Sequence, residues 1–568
     1  VFDFIIVGGG SAGSVLAHRL STPSANKVLL LAAGADTPPG QVPATILDTY
    51  PGQAYFDPRF HWTELKVRTQ VVSHNNPQAD RPPLRKYEQA RVLGGGSSIN
   101  GQMANRGAPH DYDEWEARGA AGWNWDGVLP YFRKVEHDLD FDNEWHGQDG
   151  RIPVRRIPRA QWPLHSKATA EAFRQAGFKE LADQNGAFED GFFPLTVNVT
   201  ETRVSAAMGY LDAATRARSN LTISTDTQVM GLLFEGRRCV GVRALVNGRE
   251  QEFRGREVIL STGAIHSPAH LMRAGIGPAA HLRERGIAVL ADLPGVGQGL
   301  MDHPAISLSS FIRPQARLNR TELRRHMMVG LRFSSGIEGA PAGDMFMSVA
   351  SKSAWHAVGE QVASMLTWVN KTYSQRGQVL LKSTDWREHP EVEFNLLSDR
   401  RDLERLMIGF RLAAALNMSP PLAAVTSDPF PAAYSDRVRR IGVVNTKNRI
   451  LTSIIARFLD GPGFLRSAFI DRFVVEGFRF REVMEDDEAL EAFIRKAAIG
   501  VWHASCSCRM GAEGDPMAVV DTAGRVRGVD GLRVVDASVF PVVPSANTNF
   551  PTLMTAEKMA DAILAAAG

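Results

Sequence analysis

An apolar strand, Phe2 to Val7, runs into Gly8-Gly9-Gly10-Ser11-Ala12-Gly13, then into an apolar helix from Ser14 to Leu20, with a second strand from Lys27 to Leu31 behind it. No other feature constrains the fold as strongly. Glycines spaced G-x-G-x-x-G let a backbone approach a pyrophosphate at the positive end of the following helix. The segment therefore predicts the first unit of a Rossmann-like α/β domain that binds an adenine dinucleotide, with Gly8, Gly10, Ser11, Ala12 and Gly13 as contacts. One part is missing. About twenty residues past such a turn a Glu or Asp normally takes the ribose hydroxyls, and here the second strand runs into Ala32-Ala33-Gly34. Losing a charge-assisted hydrogen bond costs about 1.5 to 3 kcal/mol, which weakens a cofactor without excluding it.

With 568 residues and 44% apolar content the chain can bury a large core and is expected to form two or more domains. Lys and Arg total 64 against 62 Asp and Glu, so no global field favours nucleic acid as a partner. The three cysteines (Cys239, Cys506, Cys508) cannot build a disulfide framework, and Cys506-Ser507-Cys508 lacks the second pair a zinc site needs, so no metal is expected. No apolar run approaches the ~18 to 20 residues of a membrane span, and the chain opens on a strand rather than a leader. A cytoplasmic protein is the expectation.

Strand patterns recur at Leu221 to Ser224, Met230 to Phe234, Cys239 to Ala244 and Glu257 to Ser261, and again at Leu532 to Ala537. Between them, residues 306–499 mix strands such as Val362 to Val369 and Gly377 to Leu381 with amphipathic helices such as Leu403 to Leu416. The expected division is a dinucleotide-binding domain from residues 1–155, 200–305 and 500–568, with a substrate-binding domain of mixed or antiparallel sheet and helices from 156–199 and 306–499 inserted into it. Thr37 to Arg85 reads as a long irregular stretch.

The segment Ala90-Arg91-Val92-Leu93-Gly94-Gly95-Gly96-Ser97-Ser98-Ile99-Asn100, followed by Ala104, Gly107 and Asp113, resembles the first signature of the glucose-methanol-choline (GMC) family of FAD oxidoreductases. Gly263 to Pro268 through Gly275-Ile276-Gly277 is similar to the second signature, with His270 and Ala274 as departures. Further similarity lies in Gly295 to His303, Asn395 to Asp399, Leu532 to Ser538 and Asn547 to Thr552, so nearly the whole chain is covered. Val501 to Ser505 and Ser545 to Asn549 look most like bacterial 5-hydroxymethylfurfural oxidases and aryl-alcohol oxidases. The resemblance implies the GMC fold and FAD held by Arg91, Gly95, Ser98 and Asn100, with Val229, Asp536, Ala537, Asn549 and Thr552 completing the site. Ile99 stands where members with covalently linked FAD have His, which implies non-covalent FAD.

The resemblance also assigns the chemistry. Alcohol oxidation needs a base for the hydroxyl proton while the carbinol hydrogen leaves as hydride, and an imidazole with an ordinary pKa near ~6.5 suits that at neutral pH. His503 is implied as that base, and Asn547, able both to donate and to accept, as its partner on the substrate oxygen. On the residues alone, the favoured reading is that His503 is a structural histidine and Asn547 a turn residue. Trp502, Trp368, Met103 and Phe550 are candidates to line an apolar pocket for a flat aromatic or furanic alcohol, though large residues of this kind are commonly plain core. The expected partners are a small alcohol and O2 or another electron acceptor. A lyase on the same scaffold (hydroxynitrile lyase or fatty-acid photodecarboxylase) and a flavin-poor non-enzymatic relative are the alternatives. Arg376 without a nearby cysteine counts against the photodecarboxylase.

Residues 445–480 read as a basic amphipathic helical hairpin, with Ile450, Leu451, Ile454, Ile455, Phe458 and Leu459 on one face of its first helix. Packing within protein, as a lid or subunit contact, is the main expectation, and an anionic membrane surface is the other. The oligomeric state is left open.

Overall fold

In a computed structural model, which describes residues 1–70, 83–319, 321–432, 436–475 and 477–567, strand β1 (Phe2–Val7) lies in the middle of a seven-stranded sheet. It pairs in parallel with β2 (Val28–Leu31) on one side and Arg249–Leu260 on the other; Leu221–Ser224 and Leu532–Val534 extend the parallel part. Residues 4–7, 28–31 and 258–260 are unbroken apolar runs and buried, as strands covered on both faces are. Helix α1 (Ser11–Leu20) starts three residues earlier than the apolar pattern suggests, since its first turn is the glycine turn itself. On its outer side it meets the C-terminal helix Asn549–Ala567, where Arg19 pairs with Glu557 and Asp561.

A second seven-stranded sheet is antiparallel throughout. Its order is Thr426–Ala432, Pro304–Ile312, Val362–Val369, Met345–Ala350, Met327–Phe333 and Gly191–Pro194, with Ile499–Gly500 also pairing with the start of Pro304–Ile312. Helix Arg400–Met418 buries Leu403, Leu406, Phe410 and Ala414. At the start of Pro304–Ile312, residues 301–305 and 499–505 run side by side: Ala305 pairs with Ile499, and Met301 with Ser505. This seam carries the candidate chemistry.

The Thr37 to Arg85 stretch contains short helices at Ala44–Leu47 and Gly52–Tyr55 and the strand Lys66–Gln70, which pairs with Glu391–Leu396; residues 71–82 lie outside the described residues. Within residues 445–480 lie helices Thr446–Leu459 and Gly463–Phe469, followed by a π-helical turn Ile470–Val474; residue 476 lies outside the described residues. Of the apolar face named above, Ile450, Leu451, Ile454 and Phe458 are exposed, whereas Leu459 is buried, as is Ile470 in the following turn. Among the described residues, no helix is long and apolar enough to cross a membrane.

Candidate active site

Two glycine segments cross in direct backbone contact. The Gly94 N–H donates to the Gly9 carbonyl at 2.7 Å, and a Cβ on Gly95, whose φ is +54°, would stand 2.6 Å from the Gly10 Cα. Gly8 has φ +105°, and a Cβ there would lie 2.3 Å from the Ser261 carbonyl oxygen, so side chains are excluded on both sides of the crossing. The second loop is braced from behind by Arg203, fully buried, whose Nη1 donates to the Ser97 and Asn100 carbonyls and to Asn100 Oδ1.

The crossing borders a cavity of ≈ 1120 Å³. Gly8, Gly10, Ser11, Ala12, Arg91, Gly95, Asn100, Val229, Asp536, Ala537, Asn549 and Thr552 all line it, together with His503 and Asn547. Gly13 and Ser98 do not. A Cβ on Gly13 would meet the Gly8 carbonyl oxygen at 1.9 Å, so this glycine serves helix-to-turn packing, and the Ser98 hydroxyl turns inward to the Leu93 carbonyl at 2.8 Å. Ser11 Oγ donates to Asn549 Oδ1 at 2.7 Å, tying the glycine turn to the C-terminal helix. Asp536 accepts from Gly263 N at 2.9 Å and Ser267 Oγ at 2.6 Å, and burial raises its carboxyl above the ordinary carboxylate range.

Ala32 and Ala33 border the cavity where a ribose-binding acid was expected. Beside them Arg91 Nε donates to the Ala33 carbonyl at 3.1 Å, and its guanidinium lies 4.7 Å from the centre of the Trp62 ring. The backbone cradle fits FAD: a Cβ on Gly96 would meet nothing within 4 Å, so unhindered main chain is presented to a flat or anionic ligand.

His503 owes its position to a break in strand pairing. Between the pairs at Gly500 and Ser505 the ladder is interrupted and Trp502 takes φ +62°, a conformation that costs energy for a bulky residue and persists only where its surroundings impose it. The amide donors left over go to one carboxylate. Asp302 Oδ1 accepts from His503 N at 2.9 Å, Val501 N at 3.2 Å and His303 N at 2.8 Å, while Oδ2 accepts from the Tyr87 hydroxyl at 2.8 Å. Burial pushes Asp302 up to about 6 despite these donors. Gly500 is required beside it, because a Cβ there would stand 2.1 Å from Asp302 Oδ2.

The ring nitrogens form one directed chain. His303 Nε2 is 3.1 Å from the Pro544 carbonyl, His303 Nδ1 is 2.8 Å from His503 Nδ1, and His503 Nε2 is 3.1 Å from Asn547 Nδ2. Burial holds His303 down to about 4, and burial followed by the neighbouring His303 holds His503 well below the usual imidazole range, so both are neutral at pH 7. A carbonyl can only accept, so Nε2 of His303 carries its proton and Nδ1 accepts from His503 Nδ1–H. His503 Nε2 is then the bare lone pair, met by the Asn547 amide. The assignment follows from the network.

Met103, Trp368 and Trp502 line the cavity. Trp368 stacks on Phe346 at 4.5 Å, and Trp502 Nε1 donates to Glu88 Oε2 at 3.0 Å. Phe550 is fully buried and does not reach the cavity. Sequence reasoning gave no role to Asp302, His303 or Arg203. Only the Asp-His pair within the 295–303 similarity signalled the first two, and the ring that His303 meets, His503, lies 200 residues further along the chain. Elsewhere, Glu136, Asp138 and His146 place potential ligand atoms within 4.8 Å of one another, but Arg106 and Arg156 already pair with them.

A glycine cradle for a dinucleotide beside a neutral imidazole and an amide defines a flavin-type oxidoreductase. The GMC oxidoreductase profile matches residues 2–305 and its C-terminal counterpart residues 373–556, and the chain belongs to that family. It is 43% identical over 574 residues, spanning 99% of both chains, to 5-(hydroxymethyl)furfural oxidase of Methylovorus sp. (strain MP688). It is 34% identical, over 99% of this chain and 93% of the relative, to an oxygen-dependent choline dehydrogenase of Pseudomonas savastanoi pv. phaseolicola (strain 1448A / Race 6). Among solved structures, pyridoxine 4-oxidase from Mesorbium loti superimposes with a TM-score of 0.80 at 25% identity, over 100% of this chain and 99% of that one. The protein is an FAD-dependent enzyme that oxidises alcohols.

Proposed function

We propose that the enzyme oxidises a primary aromatic or furanic alcohol to the aldehyde, with His503 as the general base and Asn547 as the residue that holds the substrate oxygen. The observation that carries this reading is the neutral His503 Nε2 lone pair 3.1 Å from Asn547 Nδ2 on the wall of the cavity shared with the glycine cradle. What FAD supplies when bound is acceptance of a hydride from the carbinol carbon. Gly8 to Ala12, Arg91, Gly95, Gly96 and Asn100 would hold it, with Val229, Asp536, Ala537, Asn549 and Thr552 around them.

The rest is done by the chain. Asn547 presents an amide N–H to the alcohol oxygen, His503 Nε2 takes the hydroxyl proton, and the charge that develops on the imidazole is shared through Nδ1–H with His303 and the Pro544 carbonyl. Trp368, Trp502 and Met103 offer a flat apolar wall that suits an aromatic or furanic ring and excludes water. Similarity to a named 5-(hydroxymethyl)furfural oxidase supports the substrate class. O2 is the proposed electron acceptor. Ile99, an aliphatic side chain on the cavity wall, offers no atom for a flavin bond, so the FAD is dissociable.

Anaerobic mixing with a panel of alcohols, followed by air, tests the reading. Furanic and benzylic primary alcohols should bleach the flavin, and air should restore it. A panel in which only aliphatic or quaternary-ammonium alcohols bleach it would overturn the substrate class, and flavin that stays with acid-precipitated protein would overturn the dissociable cofactor.

A further inference from the structure

Helix Thr446–Leu459 is packed inside out. The side turned to the body consists of Asn448, Thr452, Ala456 and Leu459, largely small or polar. On the opposite side Ile450, Ile454 and Phe458 are 58%, 63% and 44% exposed, and Phe464 and Phe473 in the next turns are 73% and 53% exposed. A surface helix ordinarily buries its apolar stripe, and contiguous exposed apolar surface marks an interaction site.

The orientation is fixed by specific polar anchors. Gln361 Nε2 donates to the Ala456 carbonyl at 3.0 Å and to Asp460 Oδ2 at 2.8 Å, Arg317 pairs with Asp460, and Arg466 pairs with Asp428 at 2.7 Å. Turning the helix over to hide its apolar side would break all of them.

Charge selects the partner. Lys447, Arg449, Arg457 and Arg472 are exposed around the apolar patch and have no ion pair among the described residues; of the acids in 446–474, Asp460 is taken by Arg317 and only Asp471 remains. A two-fold contact between copies would set this cationic patch against itself. An anionic surface complements it, and apolar side chains within a basic rim are the composition of interfacial helices.

We propose that this face of the hairpin docks on an anionic lipid bilayer. The inference goes beyond the proposed alcohol oxidation and does not depend on it. Leu459, Phe469 and Ile470 also line the active-site cavity, so docking sets the hairpin between bilayer and cavity.

Co-sedimentation of the FAD-loaded enzyme with mixed phosphatidylglycerol/phosphatidylcholine vesicles and with pure phosphatidylcholine vesicles tests this, with sedimentation velocity run without lipid. The variants are Ile454→Glu/Phe464→Glu and Arg449→Glu/Arg457→Glu; none of these residues touches the cavity, and unchanged turnover of a soluble alcohol certifies their folding. Binding to the anionic vesicles should exceed binding to the neutral ones by at least about tenfold at low ionic strength, weaken with salt, and fall with either variant. Three results would overturn the proposal. They are no co-sedimentation at low salt, co-sedimentation undiminished in the Ile454→Glu/Phe464→Glu variant, and a dimer without lipid that this variant dissociates, which would give the face to a second copy.

Discussion

His303 Nδ1 lies 2.8 Å from His503 Nδ1, and this contact fixes which nitrogen of His503 is left bare. The order runs outward from the Pro544 carbonyl, which can only accept, through two neutral rings to the cavity. Replacing His303 by Ala removes that order and strands a buried N–H on His503. We expect flavin reduction to slow by about 10- to 100-fold, a part of the whole general-base contribution, with little change in KM. Rapid-reaction traces on the FAD-loaded variant check this, and an unchanged rate would reduce His303 to packing.

Asp302 holds the segment that carries His503. Asp302→Ala would leave the amides of Val501, His503 and His303 without acceptors in a fully buried place. At about 1 to 3 kcal/mol for each stranded donor, the loss of stability should reach at least about 3 kcal/mol. Urea unfolding of variant and parent measures it.

Ala32 predicts a gain rather than a loss. It borders the cavity where a carboxylate toward ribose hydroxyls is expected, so Ala32→Glu should tighten FAD binding by roughly 10-fold or more, as about 1.5 to 3 kcal/mol implies. Titrating FAD into apoprotein by calorimetry reads this without reference to turnover, and the thermal midpoint of the loaded variant should rise with it.

Stability should fall on acidification. His165 and His303 are fully buried and burial holds both at about 4, against about 6.5 in the unfolded chain. Below pH ~6.5 the unfolded state takes up protons that the folded state refuses, so their contribution is complete above that value. It is lost towards pH 4 at about 1.4 kcal/mol per pH unit for each ring. His146 has the opposite sign: burial opposes its charge, but Asp138, Asp183 and Glu136 outweigh burial and raise it to about 10, so its stabilisation is complete below pH ~6.5, declines as the pH rises above that value and is lost once the pH has risen through 10. Urea midpoints between pH 4 and 8 should therefore drop on the acid side, and a flat profile would contradict the neutral buried rings.

Much of the fold could be read from the sequence because it is local. The strand–turn–helix from Phe2 to Leu20 and the strand Val362–Val369 announce themselves by apolar periodicity, and the glycines mark where main chain must approach main chain. The second half of the site could not be read in this way. Nothing near Asp302 or His303 indicates that residues 501–503 will lie alongside, since that follows from the pairing of Ala305 with Ile499 across the chain. Gly13 and Ser98 show the converse: a motif names its residues, but the packing decides which of them face the cavity. The hairpin's amphipathic pattern was visible as well, and its inversion was not, because the anchors Gln361 and Arg317 are remote in sequence.

The central claim is that the bare Nε2 of His503 takes the substrate's hydroxyl proton. The most direct test is the single-turnover rate of anaerobic flavin reduction by a furanic alcohol in the parent and in His503→Ala, both loaded with FAD. We expect the variant to keep its flavin and to be reduced about 10² to 10⁴ times more slowly. Equal rates in the two proteins would contradict the account.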